Sequence, residues 1–212
     1  MRKKCVYRAV ICAIAAALTL SADTISSNLS NTTAGTEAAA GDTWLTASFG
    51  TDSSSAVLSS VILLLSNPIP GAAELDLYTD TTLQPGSLVG TLTAPASYTT
   101  ALSGVTFTSG GLSLSGNTTY WLVLKALSGE FDWAWTADNS GNGNGFQGAW
   151  GISTDAGSTW YTYDVYPTQF SVTTTDPAAV VSDAAEPGMA LLVGILLLIG
   201  TTKSLQSERR TQ

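Results

Sequence analysis

Apolar and polar positions alternate with a period of two along much of the middle of this chain. The pattern is most regular over residues 118–137, TTYWLVLKALSGEFDWAWTA. Tyr120, Leu122 and Leu124 fall on one side, and Trp121, Val123 and Lys125 on the other. After the turn Leu127-Ser128-Gly129-Glu130, Phe131, Trp133 and Trp135 alternate with Asp132, Ala134 and Thr136. Alternation built from aromatic and aliphatic residues marks strands of a packed sheet. The short break between the two runs predicts a central hairpin.

Shorter runs on both sides repeat the signal. Residues 44–49 predict a first strand, and 56–66 contain VILLL, an unbroken apolar run that suits a strand covered on both faces. Pro68, Pro70 and Gly71 close that run. Residues 75–77, 88–92, 105–108, 112–114, 148–153, 160–163 and 169–174 follow, separated by Gly, Ser and Pro. Gln84-Pro85-Gly86-Ser87 has proline then glycine, the order of a type II turn. About ten short strands with no helical periodicity between them predict an all-β domain, a β-sandwich or jelly roll, over residues 42–175.

The flanks read differently. Residues 1–22 join a basic MRKKCVYR stretch to a twelve-residue apolar run ending near Ser21-Ala22, the pattern of a signal peptide. Twelve residues of helix span about 18 Å, short of the roughly 30 Å of a bilayer. Residues 23–41, rich in Ser, Thr, Asn, Ala and Gly, predict a flexible linker, as do residues 176–185. Residues 186–212 combine Glu186-Pro187, an apolar run and a basic tail. The apolar part, about 189–202, predicts a short single membrane helix with Lys203 reaching outward.

Charge sharpens this division. Seven of the eight basic residues lie in the two terminal segments, whereas residues 23–185 hold Lys125 alone against fourteen acidic residues, a net −13 (one minus fourteen). Basic ends and an acidic middle predict cytoplasmic termini with the domain outside. The same balance excludes nucleic acid as a partner, since phosphate binding needs clustered Lys or Arg. Both cysteines, Cys5 and Cys12, lie in the first segment, and histidine is absent. Cysteine- and histidine-based nucleophile systems and metal sites are thereby excluded from the domain.

The order Glu186-Pro187, apolar helix, Arg209-Arg210 resembles the PEP-CTERM sorting signal, with Ala185 in the place of the first proline. The resemblance implies export through the Sec machinery and an inner-membrane intermediate held by the C-terminal helix. It further implies processing by an exosortase and release to the cell surface or medium. The domain is similar to the choice-of-anchor R type, through VILLL, LDLYTD (75–80), QPGSLVGTL (84–92), LSLSGNTTYWLVL (112–124), FDWAWT (131–136) and STDAGSTW (153–160). That likeness implies an extracellular β-sandwich linked with exopolysaccharide, with no catalytic residue to carry over.

Four constellations bear on chemistry. Ser153, Asp155, Gly157, Thr159 and Trp160 fit the S-x-D-x-G-x-T-W spacing of an Asp box. This spacing predicts a turn in which Asp caps backbone N–H groups, Gly takes a positive φ and Trp packs beneath. Asp138, Ser140 and Asn142, with Gly143, match the opening of an oxygen-rich calcium loop but lack the closing carboxylate, so they suit at most a weakly bound Ca²⁺. Glu130, Asp132 and Asp138 are the carboxylates available for a glycoside hydrolase.

Twelve of the eighteen aromatic residues lie beyond residue 119. Trp133 and Trp135, in phase with Phe131, are expected in the core. Trp150, Tyr161 and Tyr163, beside glycine-rich loops, are candidates either for edge packing or for stacking on sugar rings. The expectation is a non-enzymatic, exported surface or matrix protein without a cofactor, with a carbohydrate-binding module as the alternative and a glycoside hydrolase more distant.

Overall fold

A computed structural model describes residues 21–177. The expected signal peptide lies almost entirely outside these residues, as do most of the second linker, the membrane helix and Glu186, Pro187, Arg209 and Arg210. The described chain is all-β. In order the strands are β1 (Ala22–Ser27), β2 (Thr33–Ala39), β3 (Trp44–Gly50), β4 (Ala56–Ile69) and β5 (Ala73–Asp80). Then come β6 (Pro85–Leu92), β7 (Ser103–Thr108), β8 (Ser113–Leu114) and β9 (Thr119–Ala126). The last four are β10 (Glu130–Thr136), β11 (Phe146–Ser153), β12 (Tyr161–Tyr163) and β13 (Phe170–Thr175).

Two antiparallel sheets share them. One runs β1-β13-β4-β10-β2 with β7 and β8 also on β4, and the other runs β12-β11-β3-β9-β5-β6. Side chains from both sheets meet in one core that includes Leu45, Phe49, Leu63, Leu75, Phe107, Leu122, Phe131 and Trp133. The fourteen-residue β4 is the spine of its sheet. β13 pairs with Val57–Leu63 and β10 reaches from Leu65 to Ile69, while β7 pairs with Ser60–Leu65. Its apolar run is not buried equally on both faces. Val61, Leu63 and Leu65 are buried, whereas Ile62 and Leu64 are half-buried, so one face carries the core and the other a thinner cover.

The expected central hairpin is not formed. β9 lies between β3 and β5 in one sheet, and β10 lies between β2 and β4 in the other. The alternation itself holds: Tyr120, Leu122, Leu124, Phe131 and Trp133 all face the shared core. The three-residue connection therefore arches from sheet to sheet, and a second arch, from β4 to β5, lies against it. Leu127 N–H donates to the Ala72 carbonyl (2.8 Å) and Ala72 N–H to the Ser128 hydroxyl (3.0 Å). The buried Asn67 amide donates to the carbonyls of Ile69 (2.9 Å) and Glu130 (2.8 Å), joining both arches. A β-carbon on Gly71 would stand 1.9 Å from the Ser128 oxygen, so only glycine lets the two backbones cross this closely.

Residues 23–41 are not a flexible linker. They form β1 and β2, which pair with β13 and β10. Their small and polar side chains conceal the strands, because the ladder here is held by main-chain bonds. The buried Asn28 adds to it, donating to the Thr168 carbonyl (2.9 Å) and accepting from Phe170 N–H (2.8 Å). The domain accordingly begins about twenty residues before the expected boundary.

The β5–β6 turn also falls earlier than Pro85-Gly86. Thr81 N–H donates to the Gln84 carbonyl (2.9 Å), and Thr82 and Leu83 sit at φ 57° and 64°. Two central residues of positive φ make a type I′ hairpin turn. Pro85 instead opens β6, where a missing N–H is tolerated. Positive φ costs an L-residue roughly 1–2 kcal/mol. Thr82→Asn with Leu83→Gly is expected to stabilise the domain by about 1 kcal/mol, seen as a higher denaturant midpoint with an unchanged slope.

Candidate functional site

Lys125 stands on the outer face of β9, opposite Glu74 and diagonal to Asp76 of β5. Its ammonium pairs with Asp76 and with Glu74 (3.1 Å), and lies 4.6 Å from the centre of the Trp44 ring. The Lys125 side chain is 13% exposed and that of Asp76 2%. Thr91 donates its hydroxyl to the other Asp76 oxygen (2.5 Å). Burial pushes the lysine pKa down, but the Asp76 and Glu74 hydrogen bonds more than reverse this, and it ends above the ordinary value. The only cation among the described residues is thus consumed inside the fold, and the thirteen carboxylates there have no other lysine or arginine.

The Asp-box turn is a structural cap. Asp155 accepts the Thr159 N–H (2.8 Å) and hydroxyl (2.6 Å) and the Ser153 hydroxyl (2.8 Å). The Thr159 bonds, then the Ser153 bond, hold its carboxyl below the usual range. Gly157 has φ 81°, as expected, but Ala156 shares the left-handed region at 54°. The ring pressed closest on Gly157 is that of Trp44, 2.7 Å from where a β-carbon would be, with Trp160 further off at 3.7 Å.

Asp138, Ser140 and Asn142 lie on one exposed loop whose polar atoms tie it to its neighbours. Asp138 accepts the Ser140 N–H (2.9 Å), and the Ser140 carbonyl accepts the Asn31 amide (2.8 Å). Asn142 exchanges two backbone bonds with Ser27 of β1 (2.7 and 2.9 Å). Among the described residues no three Asp, Glu, His or Cys side chains cluster as metal ligands. Glu130 and Asp138 flank opposite ends of β10. Asp132, between them, accepts only a long bond from Ser66 (3.4 Å). Glu130 and Asp132, two residues apart, fall on the same face of β10, and Asp138 lies beyond the other end of the strand.

The aromatic candidates converge. Trp150 pairs directly with Tyr163 across β11 and β12, and Ile152 with Tyr161, so all four share the sheet face that carries Leu45 and Ala47 into the core. Exposure grows toward the edge: Trp150 is half-buried, Tyr163 45% exposed and Tyr161 60% exposed. The Trp150 and Tyr163 rings lie 5.1 Å apart at 32°. The Trp150 indole N–H donates to the Val165 carbonyl (2.7 Å), fixing the ring while leaving part of its face open.

Two further rings form a second pair. Tyr166, 52% exposed, lies 5.7 Å from Trp135, and its N–H is held by the Asn139 side chain (2.8 Å). Trp135 was expected in the core with Trp133. Only Trp133 is there, fully buried with its indole N–H on the Gln169 carbonyl (2.9 Å). Trp135 is half-buried because its cross-strand partner is Gly35, and its ring lies over that glycine. The Trp135–Gly35 register is a long-range pairing, so alternation along β10 alone cannot separate the two tryptophans.

Scans of the sequence against known protein families and against curated proteins found no match.

Proposed function

We propose that this chain is an exported, non-enzymatic protein of the cell surface or extracellular matrix whose β11–β12 edge rests on matrix polysaccharide. The observation that carries the reading is the exposure of Tyr161, Tyr163 and Tyr166 within one six-residue stretch, with Trp150 against Tyr163 and Trp135 against Tyr166. Tyrosine and tryptophan offer large, stiff, amphipathic faces at low entropic cost, the property that suits them to stacking on flat ligands. Without histidine or cysteine among the described residues, a binding role needs fewer assumptions than hydrolysis.

Titration with matrix polysaccharide, read by tryptophan fluorescence, is expected to perturb emission. Tyr163→Ala is expected to weaken binding about 10-fold, the equivalent of about 1.4 kcal/mol for one stacked ring. An unchanged spectrum with every matrix glycan would leave a purely architectural sandwich. The PEP-CTERM-like terminus supports the delivery route. Pro187→Ala, or replacement of Arg209 and Arg210, is expected to leave full-length precursor in the membrane fraction. A mature mass identical to that of the parent would remove exosortase processing from the account.

A further inference from the structure

Resting on the glycan reading, we infer that the β11–β12 edge selects a cationic polysaccharide, one built of amino sugars at least partly free of N-acetyl groups. Two independent features of the edge point there. Aromatic faces attract cations through the ring quadrupole as well as sugar C–H surfaces. The four rings Trp150, Tyr163, Tyr166 and Trp135 are set in two contacting pairs with part of their surface open to solvent.

The second feature is charge. Asp164 follows Tyr163 directly in the exposed 161–166 segment. Asp138 adjoins Asn139, the residue that holds Tyr166. Hydrogen bonds from the Ser140 backbone and side chain keep the Asp138 carboxyl below its usual range, so it is ionised at neutral pH. Among the described residues no compensating cation is near. Lys125 sits on β9, with β11 and β3 between it and β12, and its ammonium is already bound to Asp76 and Glu74. A polyuronate would meet only repulsion, and an N-acetylated glycan would use the rings but not the carboxylates. A protonated amino sugar uses both.

The test compares three oligosaccharides of equal length on the intact domain: β-linked glucosamine, its N-acetylated counterpart, and a uronate. At low salt the glucosamine oligomer is expected to bind at least about 10-fold more tightly than the acetylated one, with no uronate binding. That preference is expected to shrink at high ionic strength. Asp164→Asn together with Asp138→Asn is expected to abolish the preference while leaving the acetylated oligomer bound. Tyr161→Ala with Tyr163→Ala is expected to remove both ligands. Equal affinity for the glucosamine and acetylated oligomers would overturn the charge inference and leave the glycan reading standing. Glucosamine binding that survives loss of both tyrosines would overturn it too, as bulk adsorption to an acidic protein. No binding of any oligomer would remove the glycan reading and the inference together.

Discussion

Lys125→Met is expected to destabilise the domain by about 3 kcal/mol in urea unfolding. It leaves Asp76, only 2% exposed, as a buried carboxylate with the Thr91 hydroxyl as its remaining side-chain partner. The cost belongs to the stranded charge rather than to the pair itself. Adding Asp76→Leu should therefore restore most of the loss, because apolar replacement of a buried ion pair is often neutral or stabilising. Glu74, one-third exposed, can be solvated once the lysine is gone. A double variant as unstable as Lys125→Met alone would show that the site contributes something other than charge pairing.

The same group sets an alkaline limit. A lysine pKa raised in the folded state contributes stability that is complete below the unfolded value, about 10.4, and is lost as pH climbs through the folded value. Tyr98 acts in the same window. Burial raises its phenol, so ionisation favours the unfolded chain. Tyr98→Phe is expected to leave the lysine part of the alkaline transition, and the Lys125→Met, Asp76→Leu pair to remove that part.

Gly129→Ala is expected to cost about 3 kcal/mol through two separable penalties. At φ 71° an L-residue pays roughly 1–2 kcal/mol. Its β-carbon would also stand 2.2 Å from the Ile69 carbonyl oxygen and 2.7 Å from that of Pro70, forcing the crossing arches apart at a further cost of about 1–3 kcal/mol. Gly41→Ala is the internal control, because Gly41 has φ 54° but no atom within 4 Å of the added carbon. It should show the conformational penalty alone, about 1 kcal/mol. If the two variants lost equal stability, the crowding of the arches would carry no energetic weight.

Those arches mark the boundary between what the sequence discloses and what it hides. Alternation through Tyr120, Leu122, Leu124, Phe131 and Trp133 is a local property, and each of these residues faces the core as its phase predicts. Which strand pairs with which is a long-range property. β9 and β10 are three residues apart yet belong to different sheets, because each is flanked by strands from elsewhere in the chain. β1 and β2 escape notice for the opposite reason. Ser26, Asn28 and Ala39 are fully buried, but none has the bulk that makes burial visible as periodicity. Pro85-Gly86 misplaces its turn because the positive-φ positions fall on Thr82 and Leu83, residues that rarely accept them.

At the edge, Trp150, Tyr161 and Tyr163 were legible as a group from their place beside glycine-rich loops, and cross-strand pairing gathers them. Trp135 and Tyr166 were not. Their contact depends on Gly35, a hundred residues before Trp135 in the chain, leaving room for an indole ring.

The most direct measurement is the response of the six tryptophan indole N–H resonances as a β-linked amino-sugar oligosaccharide is added to the folded domain. Shifts are expected at Trp150 and Trp135, with those of the core and outer-face residues Trp133 and Trp121 unmoved. Perturbation confined to Trp44 and Trp160 at the Asp-box turn, or none at any of the six, would contradict a glycan-binding edge at β12.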